Sequence, residues 1–182
     1  SLPDFIEHVK DGNASSVRGV YVHTVMAFPI VQQPSGNAGY VSSQGDVVTQ
    51  FGLASQYGTI GLLAHNYLAG YAYFQLEPGD VITLVYGDGR TQDFLVDDVQ
   101  QYQALNPYSP SSNFVNLDTR ELLTAEELFF RVYSGESRLT LQTCIDNEGN
   151  SSWGRLFVIA RPIGEKSANL LHQKPRRYLA IK

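Results

Sequence analysis

The apolar residues of this 182-residue chain come in runs of at most five, of which Leu156–Ala160 is one. Runs of that length suit strands, and they fall far short of the roughly 20 residues a helix needs to cross a bilayer. Between them lie 16 Gly and 8 Pro, while 11 Tyr and 9 Phe join the Val, Ile and Thr that favour a pleated surface. The chain therefore reads as all-β or β-rich, with short strands, many turns and few helices. At 43% hydrophobic residues it has enough apolar material for one folded core, so a single domain over 1–182 is expected, with its core at about 17–161.

Element by element, Pro3 near a helix start and the stripe Phe5, Ile6, Val9 predict a helix over 2–10. Val17–Met26 reads as one long strand, 27–45 as loop, and 46–57 as either an edge strand or a short helix. Thr59–His65 has the form of a buried strand ending at a surface, with His65 at its exit. Val81–Tyr86 and Thr91–Tyr102 form a hairpin through Gly87-Asp88-Gly89. Residues 106–116 read as a Pro- and Ser-rich loop. Thr124 with Glu127 makes a capping box that predicts a helix over 124–133. Arg138–Cys144 and Gly154–Arg161 are strands joined by a polar link too short for a parallel crossover, hence antiparallel neighbours.

That last pairing brings chemistry together. Residues opposed across an antiparallel ladder project to one side, so the closing residues Cys144 and Arg155 should meet, with Gln142 and Phe157 on the same face and Leu141, Thr143, Leu156 and Val158 on the other. Cys144 is the only cysteine, which excludes an internal disulfide and a cysteine-rich zinc site. A lone cysteine is commonly a small buried hydrophobe. Beside a cation at a strand end it is instead placed for reactivity, because positive charge favours the thiolate. Arg155 has its own ordinary reading, a surface cation paired with Asp146 or Glu148, and a strand-end histidine such as His65 is often only a packed residue.

The segments Gly61-Leu-Leu-Ala-His65-Asn66, Leu76-Glu-Pro-Gly-Asp80-Val-Ile, Leu139-Thr-Leu-Gln-Thr-Cys144 and Gly154-Arg155-Leu-Phe-Val-Ile-Ala160, in that order, resemble the sortase family over about Val17 to Ala160. The resemblance implies a closed, mostly antiparallel β-barrel with a few short helices. It also implies a cysteine transpeptidase that cleaves a sorting motif near a protein's C-terminus and transfers the acyl group to an amine of cell wall or pilin. Cys144 matches the nucleophile, His65 the general acid/base and Arg155 the residue that binds substrate and stabilises the oxyanion. Thr143, Gln142 and Asn66 are the expected substrate-binding residues. Ala64 and Asn66 flank the histidine where many sortases have glycine before and arginine or another polar residue after.

No cofactor is expected. Calcium is the one cation the resemblance raises, near Asp118, Glu121, Glu126 and Glu127, whose spacing meets no defined metal loop. The resemblance further implies an extracytoplasmic, bacterial cell-surface location, with membrane proximity through a segment outside this sequence. A cysteine peptidase using water, and a sortase-shaped interaction domain without turnover, are the rival readings. Residues 1–160 hold 7 Lys and Arg against 17 Asp and Glu, whereas 161–182 hold 6 against 1. The acidic body speaks against nucleic acid as a partner, and 162–182 reads as a basic tail.

Overall fold

The computed structural model describes residues 1–135 and 137–164. From position 165 onward the basic tail, with His172 in it, lies outside the described residues. Ten strands share one sheet: β1 (Val17–Val22), β2 (Met26–Gln32), β3 (Val48–Gln50), β4 (Thr59–Leu63), β5 (Val81–Tyr86), β6 (Thr91–Ala104), β7 (Phe114–Asn116), β8 (Leu122–Leu123), β9 (Arg138–Asn147) and β10 (Asn150–Ile163). Their spatial order is β10-β9-β4-β3-β2-β1-β5-β6-β7-β8, and β10 also pairs with β6. Eight strands thereby close into a barrel, and β7 and β8 extend from the far end of β6. Only β2 with β3 and β4 with β9 are parallel; the fold is the closed, mostly antiparallel barrel expected.

Alternation divides the apolar residues between two cores. Leu62, Leu139, Leu141, Leu156, Val158, Ile82, Leu84 and Phe94 fill the barrel interior. Tyr102, Phe157 and Ile159 point outward, beneath helix α3 (Ala125–Tyr133), where Leu128, Val132 and Tyr133 cover them. Helix α1 (Leu2–Val9) is capped by Ser1 and packs Phe5 against Tyr21, with ring centroids 6.1 Å apart. A 3-10 helix, Ala69–Gln75, lowers Ala69, Ala72 and Tyr73 into the interior core.

Several elements differ from the sequence reading. Val17–Met26 is not one strand but a hairpin, β1 and β2, turning at Thr24 with φ 63°. A β-branched residue in the left-handed region is a rare turn former, so no familiar turn dipeptide marks the reversal. Pro29 lies in β2 just before the pairing with β3 begins, where the strand has a partner on one side only and a missing N–H is tolerated. Residues 46–57 hold both alternatives, β3 and a single turn of helix α2 (Gly52–Ser55). Part of the 106–116 loop is strand β7. The link between β9 and β10 is mostly strand as well, reversing at Glu148 (φ 54°) and Gly149 (φ 76°), a pair in the conformation that tight hairpins require.

Candidate active site

The strand register places two of the three residues singled out from sequence, and the third follows the end of a strand. Arg155 is the ladder partner of Cys144, Leu156 of Thr143, Phe157 of Gln142 and Val158 of Leu141, as expected from the hairpin. On the opposite flank of β9, β4 runs parallel with Leu63 beside Gln142. The pairing continues past the end of β4, where Ala64 N–H donates to the Gln142 carbonyl (3.2 Å). His65 lies two residues beyond Leu63 and Cys144 two residues beyond Gln142, both past the same end of this parallel pairing. Further across the sheet Arg155 faces Tyr102 on β6, and Tyr102 faces Asn116 on β7. A transverse row Cys144, Arg155, Tyr102, Asn116 therefore crosses four strands at one end of the barrel, and His65 stands just past the end of β4 on the flank of β9. His65, Cys144 and Arg155 are each half-buried, reachable from solvent yet held by neighbours.

Backbone contacts fix the histidine's turn. Thr143 Oγ1 donates to the Ala64 carbonyl (2.7 Å), and the His65 carbonyl accepts from Leu68 N (3.0 Å) and Gly70 N (2.9 Å). Gly70 has to be glycine: a Cβ there would lie 2.3 Å from Thr143 Oγ1 and 2.7 Å from the His65 carbonyl. Asn66 Nδ2 donates to the Ser151 carbonyl (3.2 Å), tying this turn to the start of β10. Tyr67, 69% exposed, stacks on the imidazole of His65 with centroids 5.1 Å apart and planes 18° from parallel.

Arg155 makes no ion pair among the described residues, so the alternative of a surface cation held by Asp146 or Glu148 is not what the structure has. Its Nη1 donates to the carbonyls of Ser152 and Gly154, both at 2.9 Å, and its guanidinium carbon lies 6.0 Å from the centre of the Phe114 ring. A guanidinium carries five N–H donors. Those on Nε and Nη2 have no partner among the described residues and are available to an incoming oxygen.

The three residues expected to bind substrate part company. Gln142 lies on the face of Cys144, half-buried, its amide oxygen accepting from the Tyr133 hydroxyl. Asn66 is half-buried and committed to Ser151 through its amide nitrogen. Thr143 is only 2% exposed on the interior face, its hydroxyl spent on Ala64, so it holds β4 to β9 rather than meeting a ligand. The alternation that puts Cys144 outward already puts Thr143 inward. Tyr67 and Gly70, absent from the sequence reading, are the residues it missed. Gly70 follows His65 by five positions with no turn motif around it, and the Tyr67 stacking arises only once the turn is formed.

Of the acidic residues considered for calcium, Glu121 takes both forks of Arg131 (2.5 and 2.9 Å) and Glu127 caps α3 through Thr124. Both carboxyls are held below the ordinary glutamate range, by Arg131 and by Thr124 respectively. Among the described residues no three of His, Cys, Asp and Glu come together as a metal site. A cavity of about 720 Å³ beside α3 includes Glu121, Thr124, Glu127 and Arg131, and one of about 390 Å³ at the other end of the barrel includes Gly58, Ile60 and Ser137. Neither touches the row through Cys144. No described helix is long and apolar enough to cross a membrane.

No protein-family model matches the chain, and no curated protein matches it in sequence. Solved structures do. Sortase C-1 from Actinomyces oris superposes with a TM-score of 0.55 at 16% identity, covering 89% of this chain and 80% of that one. The pilus-related sortase C of Group B Streptococcus gives 0.53 at 16% identity, over 88% and 73%. Sortase A from Corynebacterium diphtheriae gives 0.55 at 13% identity, over 81% of this chain and 60% of its own. At such identities the likeness is one of backbone architecture, and the architecture of this chain is the sortase fold.

Proposed function

We propose that the chain is a sortase-type cysteine transpeptidase acting through His65, Cys144 and Arg155. What supports this reading most is the strand register, which pairs Cys144 with Arg155 across β9 and β10 and has His65 follow the end of β4 on the other flank of β9, each of the three half-buried. A nucleophile, a proton-transfer group and a cation are the parts acyl transfer needs.

The reaction requires the thiolate form of Cys144 as nucleophile and a proton on His65 to pass on. Attack of Sγ on the scissile carbonyl forms a C–S bond and puts the electron pair on oxygen, where the free Nε–H and Nη2–H donors of Arg155 oppose the charge. Collapse breaks the C–N bond, and His65 gives its proton to the departing amine. An incoming amine then attacks the thioester carbonyl while His65 takes its proton, the amide forms, and the thiolate leaves. Splitting one acyl transfer into two steps lets the same three groups serve in both directions.

On this reading residues 1–182 act as one catalytic domain, needing no cofactor. Its substrates are a sorting motif on a surface protein and an amine of cell wall or pilin, at the surface of a bacterium, with the membrane approached through a segment outside this sequence. Mass analysis of products from short sorting-type peptides mixed with a glycine-like amine tests it. Wild type should join peptide to amine as an amide, and Cys144→Ala should yield none. Free acid in place of amide at saturating amine would assign a peptidase instead, and no turnover of any peptide would leave an interaction domain.

A further inference from the structure

Resting on that function, we infer that Tyr67 is a positioning residue that holds the His65 imidazole in the plane from which it serves Cys144. A catalytic histidine ordinarily has its ring oriented by a hydrogen bond from one nitrogen to a carboxylate or carbonyl, which leaves the other nitrogen directed at the reacting group. In this chain neither imidazole nitrogen of His65 has a hydrogen-bond partner among the described residues. What is fixed is the backbone: the Ala64 and His65 carbonyls are held by Thr143, Leu68 and Gly70, and Asn66 is tied to Ser151. Backbone anchoring sets where Cα and Cβ lie but leaves the second side-chain torsion of a histidine broad.

The contact that bears on that torsion is the Tyr67 ring, 5.1 Å away by centroids and 18° from parallel. Two residues apart on an extended strand the side chains would share a face without stacking. Here residues 66–68 turn, and the turn folds the phenol ring onto the imidazole. The tyrosine is 69% exposed, so burial of its own surface does not explain its position; stacking against a half-buried histidine does. A flat face is what the arrangement requires. Phenylalanine should therefore serve and leucine should not, since leucine supplies bulk without a ring.

The test compares wild type, Tyr67→Phe, Tyr67→Leu and His65→Ala on the full chain. Two quantities are read: the His65 ring-proton shifts by NMR, and the rate of Cys144 alkylation by iodoacetamide at neutral pH. With Tyr67→Phe the ring-current displacement of the His65 signals and the alkylation rate should stay near wild type. With Tyr67→Leu the displacement should vanish and the rate should fall roughly threefold to tenfold, the span expected of an aromatic pair, at an unchanged melting temperature. Wild-type shifts and rate in Tyr67→Leu would overturn the inference. Equal alkylation of wild type and His65→Ala would overturn the catalytic reading itself, and is told apart because no Tyr67 variant enters that comparison.

Discussion

Arg155 shows how one side chain can be anchored and available together. Two bonds from Nη1 to the Ser152 and Gly154 carbonyls pin the guanidinium to its own strand, and the Phe114 ring stands beside it. The forked geometry then presents the remaining donors from a fixed plane. An ammonium gathers its three donors on one nitrogen and lacks the planar fork, so it does not reproduce the two carbonyl bonds together with a donor pair held in a fixed plane. Arg155→Lys is therefore expected to lower kcat by about 100-fold or more, the loss typical of one oxyanion donor, with little change in melting temperature. Steady-state kinetics on a peptide that wild type turns over checks this, and wild-type kcat in the lysine variant would remove Arg155 from the mechanism.

At the scale of elements, helix α3 braces the outer face of the sheet, the face that also carries Cys144. Tyr133 lies edge-on to Phe51 (5.2 Å) and Phe157 (6.2 Å), and its hydroxyl reaches Gln142, two residues from Cys144. The helix starts on a complete capping box, in which Glu127 N–H donates to Thr124 Oγ1 (3.2 Å) and Thr124 N–H to Glu127 Oε2 (2.8 Å). Thr124→Ala should cost about 1 kcal/mol of stability, seen in denaturant unfolding. Hydrogen bonds from Thr124 hold the Glu127 carboxyl below its ordinary value of 4.5 in the folded state. A depressed carboxyl contributes above its unfolded value and loses that contribution as pH falls through the folded one. The penalty of the alanine variant should accordingly shrink in acid, and a penalty that grows there would contradict the assignment.

This box, the β5–β6 hairpin and the β9–β10 register were legible because each rests on local spacing: Thr and Glu three apart, Gly-Asp-Gly between apolar runs, and alternation from Cys144 back to Leu139. The β1–β2 reversal was not, since Thr24 is a residue rarely found at φ 63°. Nor were the 3-10 helix and the Tyr67 stacking, which depend on how the turn after His65 seats against Thr143 and have no periodicity of their own. The site was thus readable as far as its strands and opaque in its turns.

Across the whole molecule, barrel closure is what makes the site. His65 is nearly eighty positions from Cys144 in the chain, and the parallel pairing of β4 with β9 brings the exit of β4, where His65 lies, to the same end of the sheet, while the β10–β6 pairing carries the row on from Arg155 to Tyr102. The interior core sets that register, because a slip of one residue on β9 would turn Leu139 and Leu141 out of the barrel and Cys144 into it. The proposed reactive centre on Cys144 depends on this register. Its most direct test is intact-mass analysis of the protein mixed with a sorting-type peptide and then chased with amine. An acyl mass added on Cys144 and then lost to the amine is expected, and its absence in Cys144→Ala. A wild-type protein that stays at its unmodified mass with every peptide, while its thiol alkylates no faster than that of a simple cysteine peptide, would contradict it.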